Sequence, residues 1–174
     1  MDTPRSGRVV VGVDNTLSGL HALRRAVAEA RIRGIPLHAV RTWGPDAASS
    51  YPMLQNPHEH QVAAASQLVA RAFADTMGGL PLDVDVEIVL VPDKAGPVLV
   101  RHAGDDDDLL VIGTGRRRRF WRRSSRTTRY CLARAACPVL VVPPPPLAGA
   151  GSTRALMRKL RRELDQLASA GPGT

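Results

Sequence analysis

The first apolar run lies within Arg8-Val-Val-Val-Gly-Val-Asp14. It is short, β-branched and bounded by turn chemistry, which predicts a buried strand ending at Asp14. Asn15-Thr16-Leu17-Ser18 supplies a turn, with Thr16 or Ser18 placed to cap the next element. Leu20, Leu23, Ala26, Val27 and Ala30 then recur at helical spacing, with Arg24, Arg25, Glu29 and Arg31 on the outer side. Gly34 is a good terminator for that amphipathic helix. Pro36 to Trp43 reads as a second strand, and the prolines and serines of Gly44 to Pro57 as a loop. His58 to Met77 forms a second helix with Val62, Ala65, Leu68, Val69, Ala72 and Phe73 inward, stopped by Gly78-Gly79. From Val84 to Val91 the side chains Val84, Val86, Ile88 and Leu90 alternate with Asp85, Glu87 and Val89. That alternation predicts a third strand open to solvent on one face. A short third helix falls within Lys94 to Ala103, beginning near Pro97. A fourth strand, Asp108 to Gly113, and a fifth, Pro138 to Val142, bracket a helix that starts near Ser125.

Strands and helices thus alternate throughout, which predicts an α/β fold: an open five-stranded parallel sheet with helices on both faces. In such sheets ligands bind beyond the carboxyl ends of the strands, where the strand order reverses. Asp14, Thr42 and Gly113 each stand at a strand's carboxyl end. Three separate strands therefore deliver polar or permissive positions to one edge. The turn Gly113-Thr114-Gly115 leads into a loop dense in arginine, Arg116 to Arg119 with Arg122 and Arg123.

Composition changes this picture in three ways. With 174 residues, 44% apolar but only 3% aromatic, the chain has one domain whose core is built mainly from aliphatic residues and alanine. No apolar run approaches the roughly 20 residues that span a bilayer, and MDTPRSGRVV lacks the apolar stretch of a signal peptide. With only Cys131 and Cys137, neither in metal-ligand company, a cytoplasmic, reduced protein is expected. The net charge of +8 is also unevenly spread: from Leu109 to Arg162 there are 14 of the 24 Lys and Arg and no acidic residue. Such a field attracts phosphates, nucleic acid or an acidic surface, more weakly as salt rises. The domain is expected over 8–142, followed by a Pro/Gly-rich linker at 143–152. Leu156, Leu160, Leu164 and Leu167 predict an amphipathic basic helix over 153–168, with 1–7 and 169–174 disordered.

The opening VVVGVDNTLSGLHALRRAVAEA, the segment LHAVRTW, and DLLVIGTG followed by CLARAACPVLVV resemble, in the same order, the universal stress protein family. The resemblance covers roughly Arg8 to Val142. It implies strand order 3-2-1-4-5, cytoplasmic location, and homodimers formed through the last strand, here 138–142. Family members that bind ATP, with Mg, carry G-x2-G-x9-G-[ST] after the fourth strand, where the glycines let backbone N–H groups approach phosphates. Gly113 matches the first glycine, and the second falls on Arg116. Counted forward, the third falls on Arg126 and the hydroxyl on Thr127; counted back from Cys137-Pro138, they fall on Ser125 and Arg126. Asp14, Thr42, Ile112 and Gly113 match nucleoside contacts, and Thr128 a hydroxyl position opening the last helix. Gly115 completes the candidate edge.

The resemblance implies a non-catalytic regulatory or binding module of the stress response, with ATP binding weakened or lost because Arg116 and Arg126 add bulk where backbone must approach phosphate. Two alternatives follow from the same loop. Arginine forks could rebuild a phosphate site, or the segment 116–129, with Phe120 and Trp121 among its arginines, could bind nucleic acid or another polyanion. An adenylate-forming enzyme is disfavoured, since Asn15-Thr16-Leu17-Ser18 is no glycine- or histidine-rich nucleotide motif. His58-Glu59-His60 has no third ligand at suitable spacing and reads as a helix start, not a metal site. Asp105 to Asp108 reads as a solvated loop, and no catalytic residue is assigned.

Overall fold

The computed structural model describes residues 7–44, 57–115 and 125–145. The elements alternate as β1 (Val9–Gly12), α1 (Leu17–Arg33), β2 (Leu37–Thr42), α2 (Pro57–Met77), β3 (Val86–Val91), α3 (Ala95–His102), β4 (Leu109–Gly113), α4 (Arg126–Arg134) and β5 (Val139–Val142). All five strands lie in one parallel sheet of order β3-β2-β1-β4-β5. β1 is central, with Val9 level with both Leu37 of β2 and Leu109 of β4. The order reverses between β1 and β4, which places a crevice at their carboxyl ends.

Strand alternation divides the core between the two faces. Val9, Val11, Leu37, Ala39, Leu109 and Val111 pack with the inner stripes of α1 and α2, including Leu23, Val27, Val69 and Phe73. Val10, Val40, Leu110 and Ile112 pack with Val98 and Leu99 of α3, with Ala103 just after it, and with Cys131 and Cys137. Val9, Val10 and Val11 are fully buried, so β1 needs apolar residues on both faces. The two cysteines are free and buried.

Several details depart from the sequence pattern. Glu29 is buried, not outward, because Arg25 and Arg33, one turn to either side, reach its carboxylate at 2.6 and 3.4 Å. Helix α3 starts at Ala95, ahead of Pro97, and Lys94 gives it no side-chain cap. Ile88, expected to face inward, is exposed, since β3 has a strand neighbour on one side only. Val89, on the opposite side of β3, is partly buried against the second core. Asp108 is not part of a solvated loop: its carboxylate is enclosed and accepts the Arg8 backbone N–H at 2.9 Å. The helix expected over 153–168 and most of the linker lie outside the described residues.

Candidate functional site

The carboxyl edge is assembled around the end of β1. The Val13 N–H donates to the Val40 carbonyl at 2.9 Å, which extends the sheet just far enough to place Asp14 at its rim. Asp14 Oδ1 accepts both the N–H and the hydroxyl of Thr16, at 2.8 and 2.5 Å. This turn fixes the carboxylate. Thr16 in turn accepts the Gly19 N–H at 3.0 Å and caps α1. The Ser18 hydroxyl is buried and donates to the Gly115 carbonyl at 3.2 Å, which ties the start of α1 to the turn after β4.

That turn tolerates no side chain at its first position. A Cβ on Gly113 would stand 2.7 Å from the Ser18 carbonyl carbon and 2.9 Å from the Gly19 nitrogen. Glycine here is required by close approach between α1 and the end of β4. Gly115 has φ +79°, a left-handed conformation that glycine adopts without strain, and a Cβ there would meet Ser125 Cβ at 3.1 Å. On the far side Ser125 caps α4, accepting the Thr128 N–H at 3.0 Å. Thr128 is buried, and its hydroxyl donates to the Gly113 carbonyl at 3.3 Å. Two helix N-termini, with their positive dipole ends, therefore flank one glycine turn.

These parts enclose a cleft of about 370 Å³. Its lining brings together Asp14, Thr42, Ile112, Gly113, Gly115, Ser125, Thr127 and Thr128, all singled out in the sequence. Arg126 is not among the lining residues. As the first residue after the Ser125 cap it is exposed on α4. Arg116 lies outside the described residues. Among the described residues, no group of three or more His, Cys, Asp or Glu could hold a metal ion.

Arg41 was not anticipated. It lines the cleft beside Asp14, its Nη1 donates to the Val13 carbonyl at 3.3 Å, and its buried Nε has no acceptor among the described residues. Burial pushes its guanidinium pKa down, opposed by the Asp14 charge. The buried Nε1 of Trp43, two residues on, also lacks a partner. A lone arginine inside LHAVRTW gives no signal of this, because its placement depends on the register between β1 and β2.

A parallel α/β sheet with a polar cleft at its topological switch point defines the nucleotide-binding type of α/β protein. The sequence profile of the universal stress protein family matches residues 6–143, and the chain belongs to that family. Similar solved structures include a universal stress protein from Archaeoglobus fulgidus, 21% identical, covering 78% of this chain and 97% of that one, with a TM-score of 0.58. Another, from Lactobacillus plantarum, is 20% identical, covering 80% and 99%, with a TM-score of 0.58. A universal stress protein solved in complex with cAMP is 26% identical over 80% of this chain and 98% of that one, with a TM-score of 0.53. No curated protein matches the chain. Among the described residues no helix is long and apolar enough to cross a membrane.

Proposed function

We propose that this chain is a non-catalytic binding and regulatory module whose cleft takes a nucleoside with its first phosphate and holds ATP only weakly. The observation that carries the reading is the Gly113–Gly115 turn, pinned between the N-termini of α1 and α4 by Ser18 and Thr128. Such an arrangement supplies N–H donors and positive potential for one phosphate group. A cleft of about 370 Å³ sits near the lower end of the roughly 300–1,000 Å³ range of small-molecule sites. The cAMP complex of a relative 26% identical supports a mononucleotide. Against tight ATP binding stands the sequence, in which arginine occupies position 116, the second glycine of the ATP pattern. A Cβ there obstructs the backbone approach that successive phosphates need.

Asp14 is committed to Thr16 through Oδ1, and that contact serves the turn and the α1 cap, so no reaction step is assigned to it. Two further properties belong to the same reading. β5 is an edge strand among the described residues, and that edge invites pairing with a second copy through 138–142, giving a homodimer. The buried free thiols suit a reducing cytoplasm.

Isothermal titration of the full chain with AMP, cAMP and ATP–Mg, at low and physiological salt, tests the ligand assignment. Saturable mononucleotide binding with ATP at least roughly tenfold weaker is expected, a gap of about 1.4 kcal/mol or more. Micromolar, salt-tolerant ATP binding as tight as that of the mononucleotides would sink it.

A further inference from the structure

We infer that the outer face of α4 is a binding surface for the phosphate backbone of a nucleic acid, separate from the cleft and independent of what the cleft holds. Arg126, Arg129, Tyr130, Ala133 and Arg134 recur at helical spacing and are all exposed, whereas Thr128 and Cys131 turn the other side of the helix into the protein. The stripe therefore carries three guanidinium groups. Arg126 and Arg134 lie eight residues apart, roughly 12 Å along the helix axis, a distance that several successive nucleotides span.

Among the described residues, half of the other arginines are paired and half, Arg24, Arg41, Arg71 and Arg101, are not, but no other element gathers three unpaired ones on one face. Arg8, Arg25, Arg31 and Arg33 each reach a carboxylate within 3.4 Å. Among the described residues, Arg126, Arg129 and Arg134 make no ion pair. No acidic residue occurs anywhere from Leu109 to Arg162 to supply one locally. A solvated face of mixed composition would interleave both signs; this one carries a single sign.

Two features fit phosphate better than an acidic protein. The guanidinium of Arg134 is held over the Tyr130 ring, 5.7 Å from its centroid, which orients the fork before any ligand arrives. Tyr130 itself is fixed by packing, since a Cβ on Gly96 would stand 2.9 Å from its ring. The small Ala133 between the arginines lets a backbone approach the helix closely. The stripe offers no apolar anchor, because the ring of Tyr130 is engaged on Gly96 and Leu132 projects to its flank. Protein interfaces depend on such anchors, while nucleic-acid backbones need only positioned cations.

The test is fluorescence anisotropy of a labelled 20-nucleotide oligo-dT titrated with the full chain between 50 and 300 mM KCl. Binding is expected at 50 mM, weakening linearly on a log–log salt plot. The variant R126A/R129A/R134A should lower that slope by about 2, at roughly 0.7 per lost contact, and weaken binding roughly tenfold to a hundredfold at 100 mM. R134A alone should lower it by about 0.7, and an unchanged melting temperature would show that the exposed substitutions leave the fold intact. Excess AMP should leave the oligonucleotide bound. Absence of binding at 50 mM, an unaltered slope in the triple variant, displacement by AMP, or equally tight capture of poly-glutamate of the same charge would each overturn the assignment.

Discussion

Gly113 ends β4 and lies directly beneath the first turn of α1. In G113A the new methyl group meets backbone atoms of Ser18 and Gly19 rather than the tip of a movable side chain. The strand end and the helix must separate, at a cost of about 1–3 kcal/mol. The expected outcome is a lower urea midpoint together with loss of mononucleotide binding, whereas a wild-type midpoint would show that the helix does not rest there. Single residues were unevenly legible in the sequence. Asp14, Thr42 and Gly113 could be read because strand ends are marked by turn chemistry. Arg41 could not: it occupies an ordinary polar place in a strand pattern, and only the β1–β2 register brings its Nη1 to Val13. Glu29 misled for a similar reason. Its burial follows from arginines on both neighbouring turns and not from its own polarity.

At the level of elements, α1 and α4 use the same device in different settings. Thr16 caps α1 while also holding Asp14, and Ser125 caps α4 while lying against Gly115. Each capping oxygen contributes typically about 1 kcal/mol. T16A should therefore lower stability and, by freeing the Asp14 carboxylate, also weaken ligand binding. S125A should destabilise by a similar amount while leaving Asp14 in place. Urea denaturation combined with mononucleotide titration separates the two, and equal binding by both variants would deny Asp14 a part in the site. The helices and strands themselves were largely legible from periodicity, because each face of the sheet buries alternate residues. The start of α3 was not, since Lys94 provides no capping side chain and Pro97 was the only local marker. Ile88 keeps the face it shares with Val86 and Leu90, and its exposure follows from the edge position of β3, which is a property of topology rather than of local sequence.

For the whole molecule, the sheet has a carboxyl edge that carries the cleft and an opposite edge of charge pairs, where Arg8 meets Asp105 and Asp108 at 3.1 and 3.4 Å. His102 stands at that second edge. Burial holds its pKa below the usual 6.5, and nearby Arg101, His38 and Arg8 push the same way. The unfolded chain thus takes up this proton at a higher pH than the folded one, and stability falls as pH drops below about 6.5. In the other direction, burial raises the Cys131 thiol to about 11. The unfolded thiol ionises first, so stability present below about 9 is lost as pH climbs toward 11. Urea midpoints from pH 5 to 10.5 should form a dome, with H102Q flattening its acid limb and C131V its alkaline limb; unchanged limbs would remove these groups as the cause. Gly115 and Ser125 lie side by side, so the described fold holds both ends of the segment between them at a short, fixed separation. The chain between such anchors can lengthen or change at little energetic expense, about 0.6 kcal/mol per doubling of length. Lengthening that segment by a few residues should therefore leave the urea midpoint nearly unchanged.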